Sequence, residues 1–183
     1  MTVTRTRING LLIVESEQHD DARGFFRESF RLDELTAELG REPRFRQGNH
    51  SRSARGVLRG FHAEPWDKLI YVVRGLAFCA VVDVRPGSPT FAHSETFLLG
   101  DPPGRRARLF VAQGLANAFQ AVEETDYVNE VSEAFDPAGR RGFAWDDPAI
   151  GIDWPILPPV LSPADRDLLP LAADLGLSRE DAS

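Results

Sequence analysis

His62 is the residue of this 183-residue chain best placed to move a proton. It closes the run Gly56-Val-Leu-Arg-Gly-Phe-His62, with Arg59 just before it and Lys68 shortly after. A histidine at a strand end is often purely structural. An imidazole flanked by two cations points instead to an anionic ligand and a proton transfer, because histidine titrates near neutral pH. Strand alternation puts Val57, Arg59 and Phe61 on one face and Leu58 and His62 on the other. Arg59 and His62 therefore converge only if the strand bulges or bends, and Gly60 between them is the expected place.

The other candidate chemistries are thin. His62-Ala-Glu64 has no second histidine nearby, and one His with one Glu falls short of a transition-metal ligand set. No metal is expected, and Glu64 reads as a loop carboxylate. His19, in the polar run Glu17-Gln-His-Asp-Asp21, and His93 are expected at the surface. Gly100-Asp-Pro-Pro-Gly-Arg-Arg106 is a basic turn without P-loop spacing, and no GxSxG motif supports an activated serine. The single cysteine, Cys79, lies in Leu76-Ala-Phe-Cys-Ala-Val-Val82 and reads as a buried, inert thiol.

The elements that must position these residues are short apolar or alternating runs separated by Gly, Pro, Asn and Asp. Strands are predicted over 11–15, 45–50, 56–62, 69–74, 76–85, 90–99, 107–112, 116–122 and 126–132. Many short strands at this spacing argue for an antiparallel sandwich or barrel. In 76–85 both alternating sets are largely apolar, which marks a strand buried on both faces. Helices are predicted only over 31–39 and after Pro163, where Ser162-Pro163 supplies an N-cap and a proline at the first helical position. Residues 135–159 should form an ordered irregular wrap, and 175–183 should fray.

With 42% apolar and 27% charged residues the chain reads as one globular domain, 1–183. A net charge of −7 disfavours a nucleic-acid partner but leaves room for a local anion site. No apolar run approaches the ~20 residues of a membrane span, and 11–14 is too short for a secretory core, so a cytoplasmic location is the default. Composition and spacing stop at an all-β domain with a His/Arg/Lys anion site.

A set of ordered blocks carries the reading further. They are Asp21-Ala-Arg-Gly-Phe-Phe-Arg-Glu-Ser-Phe30, Gln47-Gly-Asn-His-Ser51, Gly56-Val-Leu-Arg-Gly-Phe-His62 and Lys68-Leu69. Arg85-Pro-Gly-Ser-Pro-Thr-Phe91, Trp145-Asp-Asp-Pro148, Ile152-Asp-Trp-Pro155 and Leu161-Ser-Pro-Ala-Asp165 complete it. Together, from about residue 8 to 171, they resemble the dTDP-4-dehydrorhamnose 3,5-epimerase family of cupin-like enzymes. The resemblance implies an antiparallel β-jelly roll with short flanking helices, a homodimer, and no metal or organic cofactor. It implies a dTDP-linked 4-keto-6-deoxy sugar as substrate. His62 would be the base, Asp165 its partner and Lys68 the stabiliser of the enolate oxygen. Gln47, Asn49 and Arg59 would hold the sugar and diphosphate. Arg23, Phe26 and Glu28 would reach the nucleotide, partly from the other subunit.

The sequence departs from the family pattern on the acid side. Asn129 stands where the family has its proton-donating tyrosine, and Asn117 where it has a histidine. Ala134-Phe135 replaces a pair of tyrosines, and the His62–Lys68 loop is shorter. Tyr127 shares a strand face with Asn129 and is the candidate replacement acid. Three outcomes stay open at this point. The chain epimerises a dTDP-sugar at one or two carbons, catalyses another isomerisation or cyclisation on a keto substrate, or binds without turnover.

Overall fold

The computed structural model describes residues 1–171; the expected fraying of 175–183 lies outside the described residues. The strands are β1 (Thr2–Arg5), β2 (Leu11–Glu15), β3 (Gln18–Asp21), β4 (Gly24–Arg27), β5 (Gln47–Ser53), β6 (Leu58–Ala63) and β7 (Lys68–Arg74). They continue as β8 (Leu76–Asp83), β9 (Ser94–Gly100), β10 (Arg108–Val111), β11 (Leu115–Ala121), β12 (Thr125–Val131) and β13 (Arg141–Gly142). Two short helices, α1 (Leu32–Leu39) and α2 (Pro163–Arg166), flank them. One sheet runs β1-β2-β10-β7-β12-β5, the facing sheet β13-β6-β11-β8-β9, and β3-β4 forms a separate ribbon. Two facing antiparallel sheets with these crossovers make a cupin-like β-jelly roll.

Alternation explains the layers. Leu11, Ile70, Val72, Leu109 and Val111 of one sheet meet Ala77, Cys79, Val81 and Phe119 of the other in the central core. The opposite set of β8, Ala80 and Val82, packs beneath Phe143 and Trp154 of the irregular wrap, so β8 is buried on both faces as its sequence predicts. Leu12, Val14, Leu69 and Phe110 form a third layer beneath Leu35 of α1. That helix ends where Gly40 takes the left-handed conformation (φ 69°) and donates its N–H to Thr36 O at 2.9 Å. Cys79 is fully buried, and burial pushes its thiol far above the ordinary range, away from nucleophilic use.

Three elements escape the sequence reading. The β3–β4 ribbon contains His19, expected in a loop; both faces of the ribbon are largely exposed, so its sequence shows no apolar alternation. β1 is an edge strand paired to β2 with little burial, and β13 is two residues long. The strand predicted from 90 begins only at Ser94. Ser88 and Thr90 instead donate their hydroxyls to buried Asp83 Oδ2, at 2.6 and 2.7 Å, and hold the preceding residues in a turn.

Candidate active site

Between the sheets, at one end, lies a cavity of about 290 Å3. Its lining includes Gln47, Asn49, Arg59, His62, Glu64, Lys68, Asn117, Tyr127 and Asn129. The slip that this requires in β6 is present. Asn117 pairs with His62 but Phe119 pairs with Arg59, so Ala118 alone faces two residues of β6. Gly60 supplies the slip with φ 116°, and a Cβ there would lie 2.7 Å from Ala118 Cα and Asn117 O. Arg59 and His62 consequently face the same space. Arg59 Nε donates to Ser53 Oγ at 3.1 Å.

His62 Nε2 lies 2.6 Å from Asp165 Oδ1, although the two are 103 positions apart. The helix start predicted at Ser162-Pro163 makes this meeting possible. Ser162 Oγ accepts from the Asp165 N–H at 3.1 Å and donates to Asp165 Oδ2 at 3.0 Å, so the cap also orients the carboxylate. The helix itself is a single turn. Burial opposes the charge on Asp165, yet hydrogen bonds from His62 and Ser162 and the nearby Arg140 hold its carboxyl below the usual range.

Lys68 is buried at the start of β7. Its ammonium contacts Glu64 Oε2, donates to Asn117 Oδ1 at 2.5 Å and to His62 O at 3.2 Å. Burial lowers its pKa, and the Glu64 carboxylate works in the other direction. Glu64 is thus no bystander in a loop: it sits in the cavity wall as the counter-ion of Lys68. The spacing of the two residues was the available signal, but loop sequence does not say which way a carboxylate faces.

The opposite wall is built mostly from amides, with His50 of β5, held by Asp126 Oδ1 at 3.1 Å, also in the lining. Gln47 Nε2 donates to Asn49 Oδ1 at 2.7 Å, and Asn49 Nδ2 donates to Asn129 Oδ1 at 2.8 Å. Register places Asn129 opposite Asn49 across the β12–β5 pair. Tyr127 lines the same space, stacked on Phe119 with ring centroids 4.0 Å apart, and accepts from Asn117 Nδ2 at 3.4 Å. Burial holds its phenol well above the ordinary pKa, so it stays protonated.

Arg23, Phe26 and Glu28 are not brought to this cavity. They lie on or just after the exposed ribbon, where Arg23 pairs with Asp21 at 2.5 Å and Glu28 with Arg31 at 2.9 Å. Phe26 is 67% exposed and its neighbour Phe25 53%. Arg140, by contrast, was unmarked in the sequence, and its guanidinium touches His62 Nε2.

Comparison with known proteins sets this geometry in a family. A family profile described as dTDP-4-dehydrorhamnose 3,5-epimerase matches residues 5–173. The dTDP-4-dehydrorhamnose 3,5-epimerase of Methanothermobacter thermautotrophicus is 38% identical over 174 residues, covering 91% of this chain and 92% of that protein. A dTDP-4-dehydrorhamnose 3-epimerase of Streptomyces niveus is 39% identical over 177 residues, covering 93% and 84%. Among solved structures, NovW of Streptomyces spheroides, a 4-keto-6-deoxy sugar epimerase from the novobiocin biosynthetic gene cluster, superposes with a TM-score of 0.91. It is 34% identical and covers 100% of this chain and 96% of that one. ChmJ of Streptomyces bikiniensis, a 3'-monoepimerase solved with dTDP-quinovose, gives a TM-score of 0.87 at 32% identity, covering 98% and 94%. With a profile match across nearly the whole chain and relatives this similar over nine-tenths of it, the protein belongs to the dTDP-4-dehydrorhamnose 3,5-epimerase family.

Proposed function

We propose that this protein removes the acidic proton beside the ketone of a dTDP-4-keto-6-deoxy sugar and epimerises it at one carbon. The observation that carries the reading is the His62–Asp165 pair at 2.6 Å, set in a cavity whose other wall holds neutral amides. His62 takes the proton. Asp165 fixes the imidazole tautomer and steadies the imidazolium that forms. Lys68 stabilises the oxygen on which negative charge develops. All three of its hydrogen-bond directions are occupied by Glu64, Asn117 and His62 O, so the sugar carbonyl replaces the Asn117 amide oxygen. Asn129 cannot supply a proton near neutral pH. Tyr127, protonated on the same wall, is the donor that gives slow inversion.

A cavity of about 290 Å3 lies at the small end of ligand sites and suits a sugar ring rather than a whole nucleotide sugar. The nucleotide then rests on the rim. A homodimer in which residues 23–30 cover the partner's rim gives Arg23, Phe26 and Glu28 their role and buries two exposed phenylalanines. The departures at Asn117 and Asn129 favour a second reading, another isomerisation or cyclisation on a keto substrate that does not need dTDP. Incubation with dTDP-4-keto-6-deoxyglucose in deuterated water, followed by NMR of the ring protons, separates them. Exchange beside the ketone that outpaces inversion supports the first. Turnover of a nucleotide-free ketone alone supports the second, and binding of the dTDP-linked sugar without any exchange refutes the first.

A further inference from the structure

Away from the active cavity, at the foot of the β3–β4 ribbon, three arginines stand together without a carboxylate. Arg27 ends β4, Arg108 opens β10, and Arg106 lies just before it. The chain has 28 acidic residues against 21 Lys and Arg, yet among the described residues none of these three forms an ion pair. Their partners are neutral. Arg27 Nη1 donates to Arg106 O at 2.6 Å, and Arg106 donates to Asp101 O and Gln18 Oε1. The Arg106 guanidinium lies 4.7 Å from the centre of the Phe25 ring, and that of Arg108 4.7 Å from the centre of Tyr71.

This gathering of like charge is costly as it stands. Burial, with Arg106 beside it, lowers the pKa of Arg27; burial, with Arg27 beside it, brings that of Arg108 down to about 10. Arg108 is 4% exposed, and its Nε and Nη1 have no hydrogen-bond partner among the described residues. Tyr71 and Glu130 attract it, but Glu130 Oε1 accepts from the Tyr71 hydroxyl at 3.3 Å instead. On the adjoining β2, Val14 pairs with Arg108, and two residues further on the buried Oγ of Ser16 also lacks a partner. Ser16, Arg27 and Arg106 line a cavity of about 210 Å3. Glu15 lines it too, but its side chain is exposed and pairs with none of the arginines among the described residues. Donors left unmet beside like charge are compensated most directly by an anion from outside the chain.

We infer that a small tetrahedral oxyanion, of the class of inorganic phosphate, binds in this cavity between Arg27, Arg106 and Ser16, with Arg108 backing it from the buried side. Guanidinium forks and a hydroxyl supply the donors such an ion takes. The space is too small for a nucleotide. Arg27 belongs to the ribbon, whereas Ser16 and Arg106 flank strands of the six-stranded sheet, so the bound ion ties the ribbon to that sheet. The inference does not depend on the reaction proposed above.

The test is titration of the full chain, dialysed free of phosphate, with inorganic phosphate at constant ionic strength, with and without excess dTDP. Calorimetry and amide hydrogen exchange are the readouts. One phosphate per chain should bind saturably, undisturbed by dTDP, and slow exchange across residues 18–27. R27Q and R106Q should each weaken it by about ten- to a hundredfold. R27K, which keeps the charge but loses the fork, should fall between R27Q and the wild type. R108M, acting through charge, should cost about tenfold or less. Absence of saturable binding overturns the inference, and so does binding that R27Q and R106Q leave unchanged. Phosphate displaced by dTDP belongs to the active cavity and overturns it as well. A wild type that ignores phosphate, with an R108M variant that falls from dimer to monomer in sedimentation, assigns Arg108 to a carboxylate of a second copy instead. Should the arginine variants fail to fold, S16A removes only the hydroxyl and should weaken binding several-fold; unchanged affinity there overturns the placement.

Discussion

The two walls of the cavity differ in kind. On the β6 side, with the loop and turn beside it, His62 meets Asp165 and Arg140, and Lys68 reaches across from β7 of the facing sheet to Glu64 and the His62 carbonyl. The β5–β12 side carries Gln47, Asn49 and Asn129 in a chain of amide hydrogen bonds, with Tyr127 behind them. One wall can take up and stabilise charge as a proton leaves carbon. The other orients a sugar through amides, and Tyr127 and His50 are its side chains that could hold a proton to return. On the proposed reading, such a site separates the first half of an epimerisation from the second, so that removing a proton and inverting a centre become independently measurable.

His62→Ala attacks the charged wall directly and should lower exchange beside the ketone by about 10²–10⁴-fold while the protein stays folded. Exchange that survives this change would show that the charged wall is not the working one. Asp165→Asn should cost less, about 10²-fold, because the ring keeps a hydrogen-bond partner but loses the charge that steadies the imidazolium. Binding of dTDP should persist in that variant, and its loss would assign Asp165 to the fold instead. Asn129→Tyr addresses the neutral wall. A phenol there should raise inversion relative to exchange by about 10²-fold, the lower end for a placed acid. An unchanged ratio would mean that the missing tyrosine is not what separates the two walls. Tyr127→Phe should reduce the residual inversion several-fold and leave exchange intact; equal loss of both would mark Tyr127 as packing.

The smallest expected effect is one of pH. Asp165 has a folded-state pKa below its ordinary value, so its ionic contribution is complete above the usual carboxylate range and is lost as pH falls through the folded value. The amides opposite do not titrate. Acidification should therefore raise amide hydrogen exchange of α2 before that of β12, and simultaneous loosening of both would contradict the comparison.

The architecture was legible wherever a strand met the core, since the apolar runs of β2, β7, β8 and β11 leave little choice. It was illegible where no burial imposes a pattern, as in the ribbon of β3 and β4. At the site, the local geometry around His62 could be read from Gly60, a backbone signal within a few residues. Asp165 could not be derived that way, because a contact across 103 positions leaves no periodicity; resemblance to a family supplied it. Neither route marked Arg140, which lies in a wrap without period, nor the inward turn of Glu64.

The slip at Gly60 also binds two capacities into a single inheritance. Any side chain there would press on Ala118 and Asn117 and push β6 off β11 or restore even alternation. Even alternation would turn either Arg59 or His62 out of the cavity; on the proposed roles that keeps anion recognition without the base, or the base without its anchor. A lineage of such proteins cannot relax one capacity by degrees through this position while retaining the other. Change at Gly60 is a step from both to one, and variation in chemistry has to arise elsewhere, on the amide wall where side chains exchange without moving a strand.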